Sequence, residues 1–226
     1  MHIEPGVVNG AKMALSYATA AGAIGFAAKM ALTTVKRGGV VSLGIRSALA
    51  TVLVFSFFQL LPHHPVGVSE VHLILGSTLF LIFGAAPTAI GLTLGLLVQG
   101  LFFAPLDLPQ FGMNVTSLLV PLFAMSILAR RIIPANVAYK DVTYAQALAL
   151  STAYQGGIVS WVAFWAFYGN GFGAENLAQV GAFGAAYMTV IVVEPLVDLA
   201  VLAAAKGLHG LKDSNLLNER LYEAAA

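Results

Sequence analysis

Residues 7–35, VVNGAKMALSYATAAGAIGFAAKMALTTV, are followed by Lys36-Arg37-Gly38-Gly39 and then by residues 40–61, VVSLGIRSALATVLVFSFFQLL. Each run is apolar and long enough to cross a bilayer core, which takes about 20 residues of helix. The first run ends at the basic, glycine-containing tetrapeptide and the second stops at Pro62. Working outward from this pair, five more apolar segments follow. They run from His72 to Gly84, from the Ala85-Ala86-Pro87 break to Phe103, from Asn114 to Ala129, from Tyr144 to Tyr168, and from Val180 to Leu208. The third and fourth together span about 32 residues, too long for one crossing, so the division falls at Pro87. The pattern predicts an all-α fold, a polytopic membrane helix bundle of about seven transmembrane helices.

Composition agrees. Of 226 residues, 59% are hydrophobic and only 9% charged, whereas soluble domains average about 25% charged. The formal net charge of +1 gives no electrostatic case for nucleic acid. Cysteine is absent, which removes disulfides, thiolate metal sites and cysteine nucleophiles together. The basic residues set an orientation. With seven spans, Lys36, Arg37, Arg130, Arg131, Lys140, Lys206, Lys212 and Arg220 share one side, while the opposite loops 62–71, 104–113 and 169–179 hold no Lys or Arg. The N-terminus is expected outside and the C-terminus in the cytoplasm. Trp161, Trp165, Phe167 and Tyr168 then crowd the outer end of the sixth span, as an interfacial aromatic belt does. No basic n-region or cleavage site precedes the first span, so an untrimmed amino end is expected. Small residues repeat at helical spacing: Ala14, Ala18 and Gly22, then Ala21, Gly25 and Ala28, and Gly91 with Gly95. This pattern serves either packing inside the bundle or docking to another membrane protein.

None of the five histidines, His2, His63, His64, His72 and His209, lies mid-span. Axial haem ligation, which needs histidines facing one another inside helices, is therefore unsupported. Met1-His2 offers a different chemistry. The Met1 α-amine, the His2 amide nitrogen and the His2 Nδ1 can chelate one ion in nearly planar five- and six-membered rings. A fourth in-plane nitrogen completes a square, a geometry that suits Ni²⁺ or Cu²⁺ and, less strictly, Co²⁺. Calcium and magnesium prefer oxygen. His72 is the candidate fourth ligand, since it opens the third span on the outer side. His63 and His64, between Pro62 and Pro65, are either an ion-capture pair or solvated loop residues. Glu70 is the nearby carboxylate, and Asn114, opening the fifth span, is placed to orient a ligand. His209 is read as structural.

Carboxylates inside a membrane are costly and usually paired or functional. Glu194 and Asp198 fall within the seventh span. Arg46 and Lys29 lie at similar depth in the second and first. A structural pairing among Asp198, Arg46 and Lys29 is predicted. No phosphate-binding loop with Lys and Ser or Thr is present, so the chain is not expected to hydrolyse ATP itself. There is no nucleophile elbow or His-Glu-x-x-His pair to support intramembrane proteolysis. Three functions compete: a metal-capturing transport subunit, a membrane enzyme with an outer-facing metal, and a membrane scaffold.

Met1-His2-Ile3-x-x-Gly6, Val71-His72-Leu73-x-x-Gly76, Leu97-Val98-Gln99, Gly112-x-Asn114 and the position of Glu194 together resemble the substrate-binding S components of cobalt and nickel energy-coupling-factor (ECF) transporters, the CbiM/NikM family. The cobalt branch is the closer match. The resemblance implies one membrane domain over residues 1–226. Residues 1–6 form a metal-binding segment, 7–208 the helix bundle and 209–226 a cytoplasmic tail. It implies metal ligation by Met1, His2 and His72, with Co²⁺ as the transported substrate for cobalamin biosynthesis and Ni²⁺ as the alternative. It also implies partners in the bacterial cytoplasmic (inner) membrane. These are a coupling subunit of the CbiQ type, two ATPases of the CbiO type and a small accessory protein of the CbiN type. The chain itself is then no enzyme. One departure is the loop Pro105–Gln110, which lacks the Gly-Gly-Leu-Thr-Thr run common before Gly-x-Asn. Simple ligand chemistry leans to nickel where the resemblance leans to cobalt.

Overall fold

A computed structural model of the chain describes residues 2–207 and 216–224. Met1, Leu208, His209 and Lys212, which carried sequence-based expectations, lie outside the described residues. Among the described residues, five helices are long and apolar enough to cross a membrane. The first, α1 (Met13–Gln59), has 47 residues, which would extend about 70 Å if straight. It is broken at Gly39, whose φ of 80° and ψ of 161° are non-helical. A positive φ of this kind is open to glycine at no steric cost.

The two arms of α1 pack on different partners. In the first, Ser16 lies against Gly112, and Phe26 meets Phe123 edge-on with centroids 4.7 Å apart. Both partners belong to α4 (Phe111–Ile132). In the second, Ala50 and Val54 lie against Gly91 and Gly95 of α3 (Ala85–Phe102). Residues ascend together in each pairing, so each arm runs parallel to its partner. The short turn Pro105–Gln110 returns α3 into α4. The non-helical Gly39 thus divides α1 into two arms that pack on different helices. Gly91 and Gly95 serve internal packing. Ala14, Ala18, Gly22, Ala21, Gly25 and Ala28 are instead exposed on the first arm.

Between the arms and α3 sits α2 (Gly76–Phe83), only eight residues long, or about 12 Å. The span expected from His72 is thus mostly not helical at its start. Leu75, in a left-handed conformation with φ 54°, caps α2. The Arg46 guanidinium donates to the Ser42 carbonyl at 3.3 Å and to the Phe83 carbonyl at 3.1 Å, capping the end of α2. A cation suits that negative helix end. The predicted pairing of Asp198 with Arg46 and Lys29 is therefore not formed. Lys29 is exposed, and no ion pair joins the three among the described residues.

Helix α5 (Tyr144–Asn170) starts with a capping box between Thr143 and Gln146. Helix α6 (Ala174–Gly207) contains Pro195. Core side chains such as Phe58, Leu92, Leu118, Ile158 and Phe183 are fully buried. Large apolar residues including Leu32, Val52, Phe102, Val192 and Leu196 face outward, as a lipid-bathed bundle requires. Trp165 is fully buried, so the expected belt at that end of α5 is not wholly interfacial.

A two-stranded antiparallel hairpin, β1 (His64–Val66) and β2 (Ser69–Val71), turns at Gly67. Its register pairs His64 with Val71 and Val66 with Ser69. The N-terminal residues lie along its free edge. Ile3 bridges Ser69, the Glu4 amide donates to the Val68 carbonyl at 3.1 Å, and the Glu70 amide donates to the His2 carbonyl at 3.0 Å. At the other end, part of the expected tail folds back on the bundle. The Asn218 amide donates to the Ile82 carbonyl at 2.8 Å, and Arg220 donates to the carbonyls of Ala135 and Pro134 at 2.6 and 2.9 Å.

Candidate metal centre

Strand pairing fixes the N-terminal segment in extended form, so successive side chains alternate in direction. The His2 ring is thereby turned inward, toward the segment that carries His72. The His2 carbonyl is held twice, by the Glu70 amide and by the Ser69 hydroxyl at 2.9 Å. The next residue is fixed from the opposite side, where the Ile3 amide donates to Asn114 Oδ1 at 2.9 Å. Asn114 is buried at the start of α4. It orients the segment through the backbone of Ile3, one residue past His2.

His2 is 3% exposed and His72 1%. Their rings stand nearly perpendicular with centroids 5.5 Å apart, and Phe58 packs edge-on against both. His2 Nδ1 lies 2.8 Å and His72 Nε2 2.9 Å from the same atom, Glu70 Oε2. One ligand atom from each of these three residues lies within 4.8 Å of the others. His63 stacks on His72, with centroids 4.9 Å apart and planes 12° from parallel. His64 is exposed on β1, so the two adjacent histidines part company: one belongs to the cluster and one does not.

Burial depresses the His2 imidazole below its ordinary range, opposed by its hydrogen bond to Glu70. Burial also pulls His72 down to about 3, again against the Glu70 contact. For Glu70 itself burial acts upward, but the hydrogen bonds from His2 and His72 win and hold the carboxyl well below its usual range. The result is a carboxylate that accepts from two rings whose burial disfavours their charged form.

Sequence reading passed over Asp107. It sits in the Pro105–Gln110 turn, and its Oδ2 lies 4.0 Å from His2 Nε2. It is the only acidic residue in loop 104–113, which is the signal that marks it. Ser69, which holds the His2 carbonyl, carried no comparable signal.

Glu194 and Asp198 form a second cluster, inside the bundle. Glu194 is fully buried and Asp198 is 1% exposed. Glu194 Oε2 accepts from Ser151 at 2.9 Å and from Gln155 at 2.6 Å. Asp198 accepts from Ser77 at 2.8 Å and from Thr78. Asp198 thus meets hydroxyls where a cation was expected, and Glu194 keeps its other oxygen, Oε1, buried without a hydrogen-bond partner among the described residues.

An apolar helix bundle whose two buried imidazoles meet one carboxylate defines a multi-pass membrane protein with a cluster of the type that could hold a metal ion. The chain belongs to the CbiM family, described as the cobalt uptake substrate-specific transmembrane region, whose family model matches residues 2–209. Membership makes it a membrane component of metal uptake. Two solved structures share its fold. One is a truncated transition metal transporter, with TM-score 0.71, 19% identity, and coverage of 92% of this chain and 99% of that one. Another is a transition metal transporter, with TM-score 0.69, 19% identity, and coverage of 94% and 98%. Curated proteins gave no match.

Proposed function

We propose that the chain is the substrate-binding subunit of an ATP-driven importer of the ECF type, capturing Co²⁺ at the outer face of the bacterial cytoplasmic membrane. The observation that carries this reading is convergence: His2 Nδ1 and His72 Nε2 lie 2.8 and 2.9 Å from one atom, Glu70 Oε2. A cation that takes the place of that oxygen receives a lone pair from each ring once the nitrogen facing it has given up its proton. The Met1 α-amine and the His2 amide nitrogen complete a four-nitrogen set. Binding displaces protons from these donors, so affinity rises with pH. Ni²⁺ is the alternative cargo, favoured by a planar nitrogen set; the family description favours cobalt.

The reading takes seven crossings, with two from α1 and a short one from α2, the N-terminus outside and the C-terminus in the cytoplasm. It makes the chain a transport subunit and not an enzyme. ATP is hydrolysed in a pair of ATPase partners, reached through a membrane coupling subunit, with a small membrane accessory protein beside them. The imported cobalt supplies cobalamin synthesis.

Extending the N-terminus by one residue tests the ligand set, because it moves the α-amine out of the chelate. Calorimetric titration of the purified protein with Co²⁺ or Ni²⁺ is expected to show binding collapse while thermal unfolding stays unchanged. Unaltered affinity overturns the assignment. Uptake of radiolabelled Co²⁺ in competition with excess Ni²⁺, and the reverse, decides the cargo.

A further inference from the structure

This inference rests on the reading of His2 as a metal ligand and adds a positioning residue to it. In the structure His2 spends its Nδ1 on Glu70. A carboxylate oxygen only accepts, so the hydrogen bond at 2.8 Å places the proton on Nδ1. A neutral imidazole carries one proton, which leaves Nε2 as a bare lone pair. That buried nitrogen has no hydrogen-bond partner. Asp107 Oδ2 faces it at 4.0 Å, beyond hydrogen-bond range, as two acceptors must stand. Metal ligation through Nδ1 inverts this arrangement. The proton leaves Nδ1, one is taken at Nε2, and the ring's proton count is unchanged. A carboxylate now faces an N–H instead of a lone pair, with about 1 Å left to close.

The turn that carries Asp107 is built to hold it there. Pro105 and Pro109 fix its backbone on either side. Leu108 packs closely against Gly100 of α3, and the Tyr17 hydroxyl donates to the Pro109 carbonyl at 3.0 Å. We propose that Asp107, held 4.0 Å from His2 Nε2 by this turn, accepts the Nε2–H of His2 when metal binds and so fixes the ring in the tautomer that ligates through Nδ1. Ligating histidines commonly donate their second nitrogen to such a carboxylate, and its loss costs roughly 10- to 100-fold in metal affinity. Glu70 and Asp107 thus divide the ring between them, the first holding it before the metal and the second after.

The test titrates full-length protein in detergent with Ni²⁺ and reads His2 ring nitrogens by NMR on isotope-labelled histidine, since planar four-nitrogen Ni²⁺ is diamagnetic. Asp107→Asn and Asp107→Ala are expected to weaken Ni²⁺ binding roughly 10- to 100-fold, with unfolding of the metal-free protein unchanged and partial rescue in Asp107→Glu. Loaded wild type is expected to show protonated Nε2 at His2, and metal-free protein protonated Nδ1. Wild-type affinity in Asp107→Ala, or an unprotonated Nε2 in the loaded protein, overturns the proposal. If His2→Ala also leaves affinity untouched, the metal-site reading itself has failed. If His2→Ala abolishes binding and Asp107→Ala does nothing, only the role of Asp107 falls.

Discussion

The molecule holds two carboxylate clusters that differ in what surrounds them. At the hairpin end Glu70 meets two imidazoles and keeps a quarter of its side-chain surface open. Inside the bundle Glu194 and Asp198 meet only hydroxyls and an amide and are sealed from solvent. The first set brings two ring nitrogens onto one carboxylate oxygen beside open surface. In the second, neutral donors face Asp198 and one oxygen of Glu194, and no ring nitrogen takes part. Charge alone therefore does not mark a metal site. The type of partner atom and the route to it do.

The sharpest break of this comparison removes a nitrogen. His72→Ala is expected to lower Ni²⁺ or Co²⁺ affinity on the order of 100-fold or more, while Glu194→Gln changes it by less than about twofold; calorimetric titration reads both. A large loss in Glu194→Gln would erase the distinction between the clusters. Next comes packing of the interior. Gly76 lies against the Tyr154 ring with no room for a Cβ, so Gly76→Ala is expected to destabilise by about 3 kcal/mol, read as thermal unfolding in detergent. Removing a donor from the inner cluster is milder. Gln155→Leu leaves Glu194 short of a partner and costs about 1–3 kcal/mol, with metal affinity unaffected.

The hairpin-end cluster also carries a pH dependence. His72 titrates at about 3 when folded and at 6.5 when unfolded. Between these values the unfolded chain binds more protons, so stability falls as pH drops from 6.5 toward 3 and is level above 6.5. Glu70, also depressed, acts in the same direction below its ordinary 4.5. Unfolding curves across this range are expected to lose part of their slope in His72→Ala. The smallest effect belongs to His64→Ala. As an exposed strand residue, it is expected to move stability by less than about 0.5 kcal/mol and to leave affinity unchanged.

Apolar run length and one basic Gly-Gly break made the paired arms of α1 readable, because membrane helices obey a length rule that needs no tertiary knowledge. His2 and His72 were readable as partners through their chemistry and the family resemblance. The hairpin was not, since two three-residue strands carry too little alternation to distinguish them from loop. For α2 the end at Gly84 was readable but the start was not. Nothing in His72–Gly84 announces the left-handed Leu75 that delays the helix. The failed pairing of Asp198 with Arg46 has a plainer cause. Depth in the membrane was inferred from residue counts, but depth says nothing about which way a side chain faces around its helix. Ser77 and Thr78 on α2 reached Asp198 first.

The attachment of Ile3 to Asn114, 111 positions downstream, sets an order of events during biosynthesis. The hairpin residues that hold His2 are made well before Asn114 is. A nascent chain halted before residue 114 lacks the second peg for the segment around His2, so that segment's geometry is completed only after the start of α4 has been made.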